Sequence, residues 1–263
     1  MQTEKVVNHI VNWLKNYATN AQMGGFVIGI SGGIDSAVTS ALCAKTGLRT
    51  LCLEMPIHQH QSQVNLAQDH ISWLQHHFAN VSNLQVDLTP VFESFKTAVP
   101  KTSNSDHLSL SLANTRARFR MSTLYYFAGL HNYLVAGTGN KIEDFGVGFY
   151  TKYGDGGVDL SPIADLMKTE VYEIAEFLQI NTGIISAAPT DGLYGDSRSD
   201  EAQLGASYVE LEWAMNQAEN GKTLSEFEGR QKEVFQIYKS RHSANLHKMK
   251  PIPICEIPIK LKK

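Results

Sequence analysis

The sequence predicts a doubly wound, mostly parallel α/β sheet with helices on both faces, and two patterns predict it. Short continuous apolar runs alternate with amphipathic helical stretches through the first half of the chain, and the runs end in loops rich in glycine or proline. At 263 residues, with 43% apolar and 19% charged side chains, the chain can bury a substantial core, and one domain is the expectation. A formal charge of -3 gives no broad basic field, which argues against nucleic acid or a membrane surface as partner.

Taken in order, Val6, Val7, Ile10, Val11 and Leu14 recur at helical spacing, so the chain opens with an amphipathic helix. Glu4, Lys5, Asn8, His9 and Lys15 interrupt that segment, leaving neither a signal-peptide core nor a membrane span, and the protein reads as cytoplasmic. Phe26-Val27-Ile28-Gly29-Ile30 has the continuous apolar character of a strand buried on both faces. Ser36 to Lys45 then reads as a helix, with Gly47 just past its end. Leu51-Cys52-Leu53 predicts a second strand, Val64 to Phe78 a second helix, and Leu84 to Leu88 a third strand; Thr89-Pro90 opens another helix. Lys101 to His107 reads as a loop, about Leu112 to His131 as a long helix, and Tyr133 to Ala136 as a further strand ending at Gly137-Thr138-Gly139. From about residue 160 the pattern is mostly helical: a Val171, Ile174, Ala175, Leu178 stripe is followed by helices over Ser207 to Glu219 and Leu224 to Tyr238.

The loop Gly29-Ile30-Ser31-Gly32-Gly33-Ile34-Asp35-Ser36 stands between a strand and a helix, where backbone N–H groups and the helix dipole receive phosphate. It lacks the Gly-Lys-Ser/Thr of the Walker loop. Asp35 in the first helical turn would repel bound phosphates unless a cation lay between, which implies magnesium; otherwise it merely complements the helix N-terminus. Cys43, Cys52 and Cys255 have no paired spacing, so buried or inert thiols in a reducing compartment are expected.

Ser31 to Ser36 is similar to the pyrophosphate loop of the N-type ATP pyrophosphatases. A second stretch, Gly137-Thr138-Gly139-Asn140-Lys141-Ile142-Glu143-Asp144 followed by Thr151-Lys152-Tyr153-Gly154-Asp155-Gly156-Gly157, resembles the signature of the ammonia-dependent NAD synthetases within that superfamily. On its own, Gly154 to Gly157 would be a surface loop. Asn114 to Met121 is also family-like; it puts Arg116 and Arg120 on one helix face and Arg118 on another, and a solvated basic face is the alternative. The resemblance covers nearly the whole chain. It departs at Glu54-Met55-Pro56, where the family often has an arginine two residues before the proline, and the stretch from Glu143 to Lys152 is one residue longer than in many relatives.

What the resemblance implies is ATP-dependent amidation of deamido-NAD by ammonia through an adenylated intermediate, giving NAD, AMP and pyrophosphate. Gly29 to Ser36, Thr138, Lys168 and Thr190 would meet ATP, with Asp35 and Lys168 the catalytic pair. Arg118, Lys152, Asp159, His247 and Lys248 would meet the dinucleotide. Asp35 and Glu143 would hold magnesium, with Glu143 at the end of a strand and Asp144 as its alternative. Gly192 to Gly205, with Asp196, Asp200 and Glu201, resembles the family's covering loop, although a solvated acidic loop has the same composition. The family also implies a homodimer with the dinucleotide at the interface, and the chain length leaves no room for a glutaminase domain. A GMP synthetase-like enzyme leaves the Thr151 to Gly157 motif unexplained. A nucleotide sensor without turnover has little need of two carboxylates beside phosphate.

Overall fold

The computed structural model describes residues 1–100, 105–189 and 199–262, with backbone alone at 105 and 106. Four parallel strands form one sheet in the order β3-β2-β1-β4: β1 Gly25–Gly29, β2 Arg49–Glu54, β3 Val81–Gln85 and β4 Leu134–Val135. Register runs from Gly25 opposite Arg49 to Gly29 opposite Leu53, and Phe26 and Val27 pair with Leu134 and Val135. Helices cover both faces, as the alternation of apolar runs and helical stripes predicts.

The period of two along the strands decides which helices lie where. Phe26 and Ile28 of β1, Cys52 of β2 and Leu134 of β4 face one way, toward α1 Thr3–Asn20, α2 Ile34–Lys45, α3 Gln61–His77 and α6 Lys168–Phe177. Val27, Leu51, Leu53 and Val135 face the other way, toward α4 Thr89–Ala98 and α5 Ser105–His131 through Phe92 and Ala128. The expected stripe on α1 is inward: Val7, Ile10, Leu14 and Ala18 are buried. Each large side chain buried completely, such as Phe26, Leu14 or Phe92, contributes about 1.5–3 kcal/mol.

Beyond the sheet, α7 Thr182–Ile185 packs near α2 and α6 through Ile184, while α8 Asp200–Leu204, α9 Tyr208–Glu219 and α10 Gly229–Met249 build a further cluster around Leu211, Met215, Val234 and Phe235. Ile142 and Val147 belong to that cluster, so the C-terminal helices pack directly on the segment carrying Glu143.

Several boundaries differ from the sequence expectation, among them the start of α3, at Gln61 instead of Val64. β3 lies at Val81–Gln85 instead of 84–88, because an edge strand tolerates Ser82 and Asn83 outward; Val86 and Leu88 still donate to the carbonyls of Glu54 and Pro56 after it ends. α2 begins at Ile34, two residues early, so that Asp35 and Ser36 are both helical. α5 begins at Ser105, and of the expected loop only residues 101–104 lie outside the described set. The last helix is Gly229–Met249, not 224–238, since Thr223 and Glu226 close a separate short 3-10 turn through reciprocal hydrogen bonds.

Inside the α2–α3 contact lies a fully buried histidine. His70 Nε2 is 2.9 Å from Ser40 Oγ, which itself donates to the Ala37 carbonyl, while His70 Nδ1 has no partner. Burial holds the imidazole down at about 4 against an ordinary 6.5, so the unfolded chain takes up this proton long before the folded one. Stability from this site is complete above about 6.5 and is lost as pH falls toward about 4, by up to roughly 3 kcal/mol. Thermal unfolding between pH 7 and 4 should therefore show a falling melting temperature whose slope is reduced in His70→Leu.

Candidate active site

The strand order creates a switch point. The chain leaves β1 toward β2 and β3 on one side and later returns to β4 on the other, so the loops after β1 and β4 diverge and open a crevice at the carboxyl end of the sheet. A cavity of about 320 Å³ fills it, lined by Gly29 through Ser36, Thr138, Glu143 and Lys168 among others. The predicted nucleotide and metal positions are thus brought together, except Thr190, which lies outside the described residues with Asp196.

The glycine loop is held open by its own side chains. Ser31 Oγ accepts from the Gly33 amide at 3.2 Å and lies 3.1 Å from Ser36 Oγ, which donates to the Gly33 carbonyl at 2.9 Å. Gly32 has φ of +85°, and a Cβ there would come within 2.7 Å of the Gln63 carbonyl, so neither conformation nor space admits another residue. The N-terminus of α2 opens immediately after, leaving its first N–H groups and the positive dipole end at the cavity.

At the floor of the cavity Lys168, 3% exposed, donates to Asp35 Oδ2 and, at 3.0 Å, to Glu143 Oε1. Two carboxylates separated by more than a hundred residues thus converge on one cation. Burial alone would discharge the lysine, but attraction to Asp35 and Glu143 overrides it and holds the ammonium well above its ordinary range. Burial likewise works against the Glu143 carboxylate, yet Lys168 and the hydrogen bond from Tyr208 keep it below the usual carboxylate value. Asp35 goes the other way: burial raises it, Lys168 opposes, and the charge on Glu143 raises it further. One lysine does not fully satisfy two buried carboxylates.

Three contacts fix this geometry. Asn140, fully buried, donates to Asp35 Oδ1 at 3.0 Å and accepts from the Glu143 amide at 3.1 Å. Glu212 on α9 takes both the amide and hydroxyl of Thr169, at 3.0 and 2.8 Å, anchoring the first turn of the helix that begins with Lys168. Tyr208 donates to Glu143 Oε1 at 2.6 Å.

Glu143 does not end a strand. It sits in a π-helical turn, Ile142–Val147, capped by Gly148. Asp144, next along the turn, also lines the cavity, and its carboxyl fills the space beside Gly139, where a Cβ would lie 2.1 Å from Oδ2. Burial, followed by the charges of Glu143, Asp155 and Asp35, pushes Asp144 up to about 8.

The residues expected to meet the dinucleotide lie beside this cavity rather than in it. Arg118 donates to the Lys152 carbonyl at 3.4 Å, Lys152 to the His247 carbonyl at 2.8 Å, and half-buried Lys248 to the carbonyls of Gly148 and Tyr150. Four of the five therefore form one connected rim between α5 and α10. Asp159 is tied to the sheet instead, accepting from the Val135 amide and the Tyr125 hydroxyl. Of the paired arginines, Arg120 reaches the cavity and donates to the Met55 carbonyl and Gln59 Oε1, whereas Arg116 stacks over Phe92. Asn140 stands in a motif visible in the sequence; Tyr208 and Glu212 have no such signal, because the contacts that matter are made across the fold.

Known proteins share this arrangement of elements. A solved NMN synthetase from Francisella tularensis superposes with a TM-score of 0.84 at 30% identity, covering 98% of this chain and 100% of that one. An NH3-dependent NAD synthetase from Campylobacter jejuni, solved with nitrate, gives 0.78 at 27% identity, covering 97% and 100%. In sequence, the NH3-dependent NAD+ synthetase of Methanosarcina acetivorans is 36% identical over 98% of this chain and all of its own length. The NAD synthase family model matches residues 6–252, nearly the whole chain including both loops that line the cavity, and the chain belongs to the NAD synthase family.

Proposed function

We propose that this chain is an ammonia-dependent NAD synthetase that uses ATP to amidate the nicotinate carboxylate of deamido-NAD, releasing AMP and pyrophosphate. The observation that carries the reading is the convergence of Asp35 and Glu143 on Lys168 beneath a phosphate-accepting helix N-terminus. In the first step a nicotinate oxygen attacks the α-phosphorus; the new P–O bond gives an acyl adenylate, and the bond to the β-phosphate bridge breaks. The loop amides from Ser31 to Ser36 receive the departing pyrophosphate, and Lys168 offsets its charge. Ammonia then attacks the carbonyl carbon, the C–O bond to AMP breaks, and the proton lost from nitrogen passes to water or a carboxylate.

Magnesium fits the donor set. Among the described residues no three acidic, histidine or cysteine side chains are grouped for a metal ion. This ion commonly takes only one or two carboxylates and completes its shell with phosphate oxygens and water, which Asp35 and Glu143 suit. When bound it would neutralise charge on the phosphates.

The same reading places the dinucleotide along the rim of Arg118, Lys152, His247 and Lys248, with Asp159 at the sheet edge. It takes the chain as one domain and the enzyme as cytoplasmic. No described helix is long and apolar enough to cross a membrane. Exposed Val91, Phe95, Leu110, Tyr126 and Leu130 on α4 and α5 support a homodimer. A second reading, with the mononucleotide of nicotinate as acceptor, is favoured by the 0.84 TM-score to an NMN synthetase.

AMP and pyrophosphate release should require ATP, ammonium and a nicotinate nucleotide together, and faster turnover with deamido-NAD than with nicotinate mononucleotide separates the two readings. Turnover with XMP in place of either would remove both. Asp35→Asn should lower turnover by about 10²-fold or more while leaving the fold, followed by circular dichroism, intact. Gly32→Ala, which forces its Cβ on the Gln63 carbonyl, should weaken ATP binding in calorimetry at least about tenfold.

A further inference from the structure

A third side chain meets the Glu143–Lys168 pair, and no motif in the sequence singles it out. Tyr208 is the first residue of α9 and is 5% exposed. Its backbone is pinned from two directions: its amide donates to Glu201 Oε1 at 2.9 Å, and Ser207 before it forms a capping box with Glu210. The side chain therefore projects from a fixed helix terminus and is not free to choose its partner.

What it projects toward is charged. Tyr208 Oη is 2.6 Å from Glu143 Oε1, the length of a hydroxyl-to-carboxylate bond, and 3.4 Å from Asp200 Oδ2, too far to compete, so its one proton goes to Glu143. The Lys168 ammonium lies 4.8 Å from the centre of the same ring, within cation–π range. Packing in the C-terminal core would be served equally by phenylalanine. A hydroxyl here, between two carboxylates, is of use only through the bond it makes.

The geometry points to Tyr208 as a positioning residue: by bonding Glu143 Oε1 and seating Lys168 on its ring, it holds Glu143 in the orientation that receives the divalent cation accompanying ATP. The inference rests on the reading of Glu143 as a metal ligand. Hydrogen-bonded partners of ligating carboxylates typically matter to metal affinity by roughly 10–100-fold.

The test uses the full chain with Mn²⁺ as probe, titrated by electron paramagnetic resonance in the presence of a non-hydrolysable ATP analogue and without acceptor. Tyr208→Phe removes one oxygen and keeps the ring. It should weaken Mn²⁺ binding about tenfold or more and raise the magnesium concentration for half-maximal turnover in parallel, while kcat at saturating magnesium stays within about threefold. Mn²⁺ affinity within about twofold of the parent in Tyr208→Phe, with Glu143→Gln weakened, overturns the role of Tyr208 and leaves Glu143 as a ligand. Unchanged affinity in both variants removes Glu143 from the metal site instead. A lowered melting temperature in Tyr208→Phe with unchanged Mn²⁺ affinity assigns the tyrosine to packing and overturns the inference.

Discussion

The centre of this protein is a buried lysine shared by two carboxylates. Removing three charged groups from water is costly, and one ammonium between Asp35 and Glu143 leaves a net negative centre with Asp35 held above its ordinary ionisation range. Such an arrangement adds little to stability. It is better understood as a site poised for additional positive charge, and much of the surrounding structure keeps its members in place. Asn140 couples the two carboxylates, Glu212 ties down the helix that starts with Lys168, and Tyr208 takes the remaining approach to Glu143 Oε1.

The sheet supplies the location. Because β4 adds beside β1 instead of continuing past β3, the two glycine loops face each other across a crevice where neither has a neighbouring strand connection to fill it. The Ser31 to Ser36 loop gains rigidity from Ser31 and Ser36 and packs closely on α3 at Gly32, while the π-helical turn brings Glu143 and Asp144 to the cavity from the opposite wall. The C-terminal helices, which share no strand with the sheet, pack on that turn and contribute Tyr208 and Glu212. Amide formation of the proposed kind needs no covalent protein nucleophile, so positioning and charge compensation are what the fold must deliver, and these are what the cavity contains.

Sequence and structure agree most closely where a feature is local. The alternation of Phe26, Val27 and Ile28 between the two faces, the break at Gly47 and the stripe of α1 follow from apolar period and backbone freedom, which neighbouring residues alone determine. Agreement fails at edges. The outward-facing Ser82 and Asn83 of β3 carry no strand signal, since an edge position is defined by what lies beside it. Likewise Glu143 lies on a π turn, not at a strand end, with Ile142 and Val147 of that turn packed into the cluster of α9 and α10, a contact no local pattern announces.

The sequence by itself determined the fold class, the glycine loop that carries Asp35, and the resemblance that paired Asp35 in expectation with Glu143 at a metal and with Lys168 in catalysis. All of these rest on short windows whose spacing and chemistry can be read directly. Only the tertiary structure decided that Asp35 and Glu143 share one ammonium, that Asp144 enters the cavity, that Arg120 rather than Arg118 lines it, and that Tyr208 orients the centre. The physical reason is separation: each of those contacts joins groups from different elements, and their distance and burial are set by how the helices pack, which no local pattern encodes.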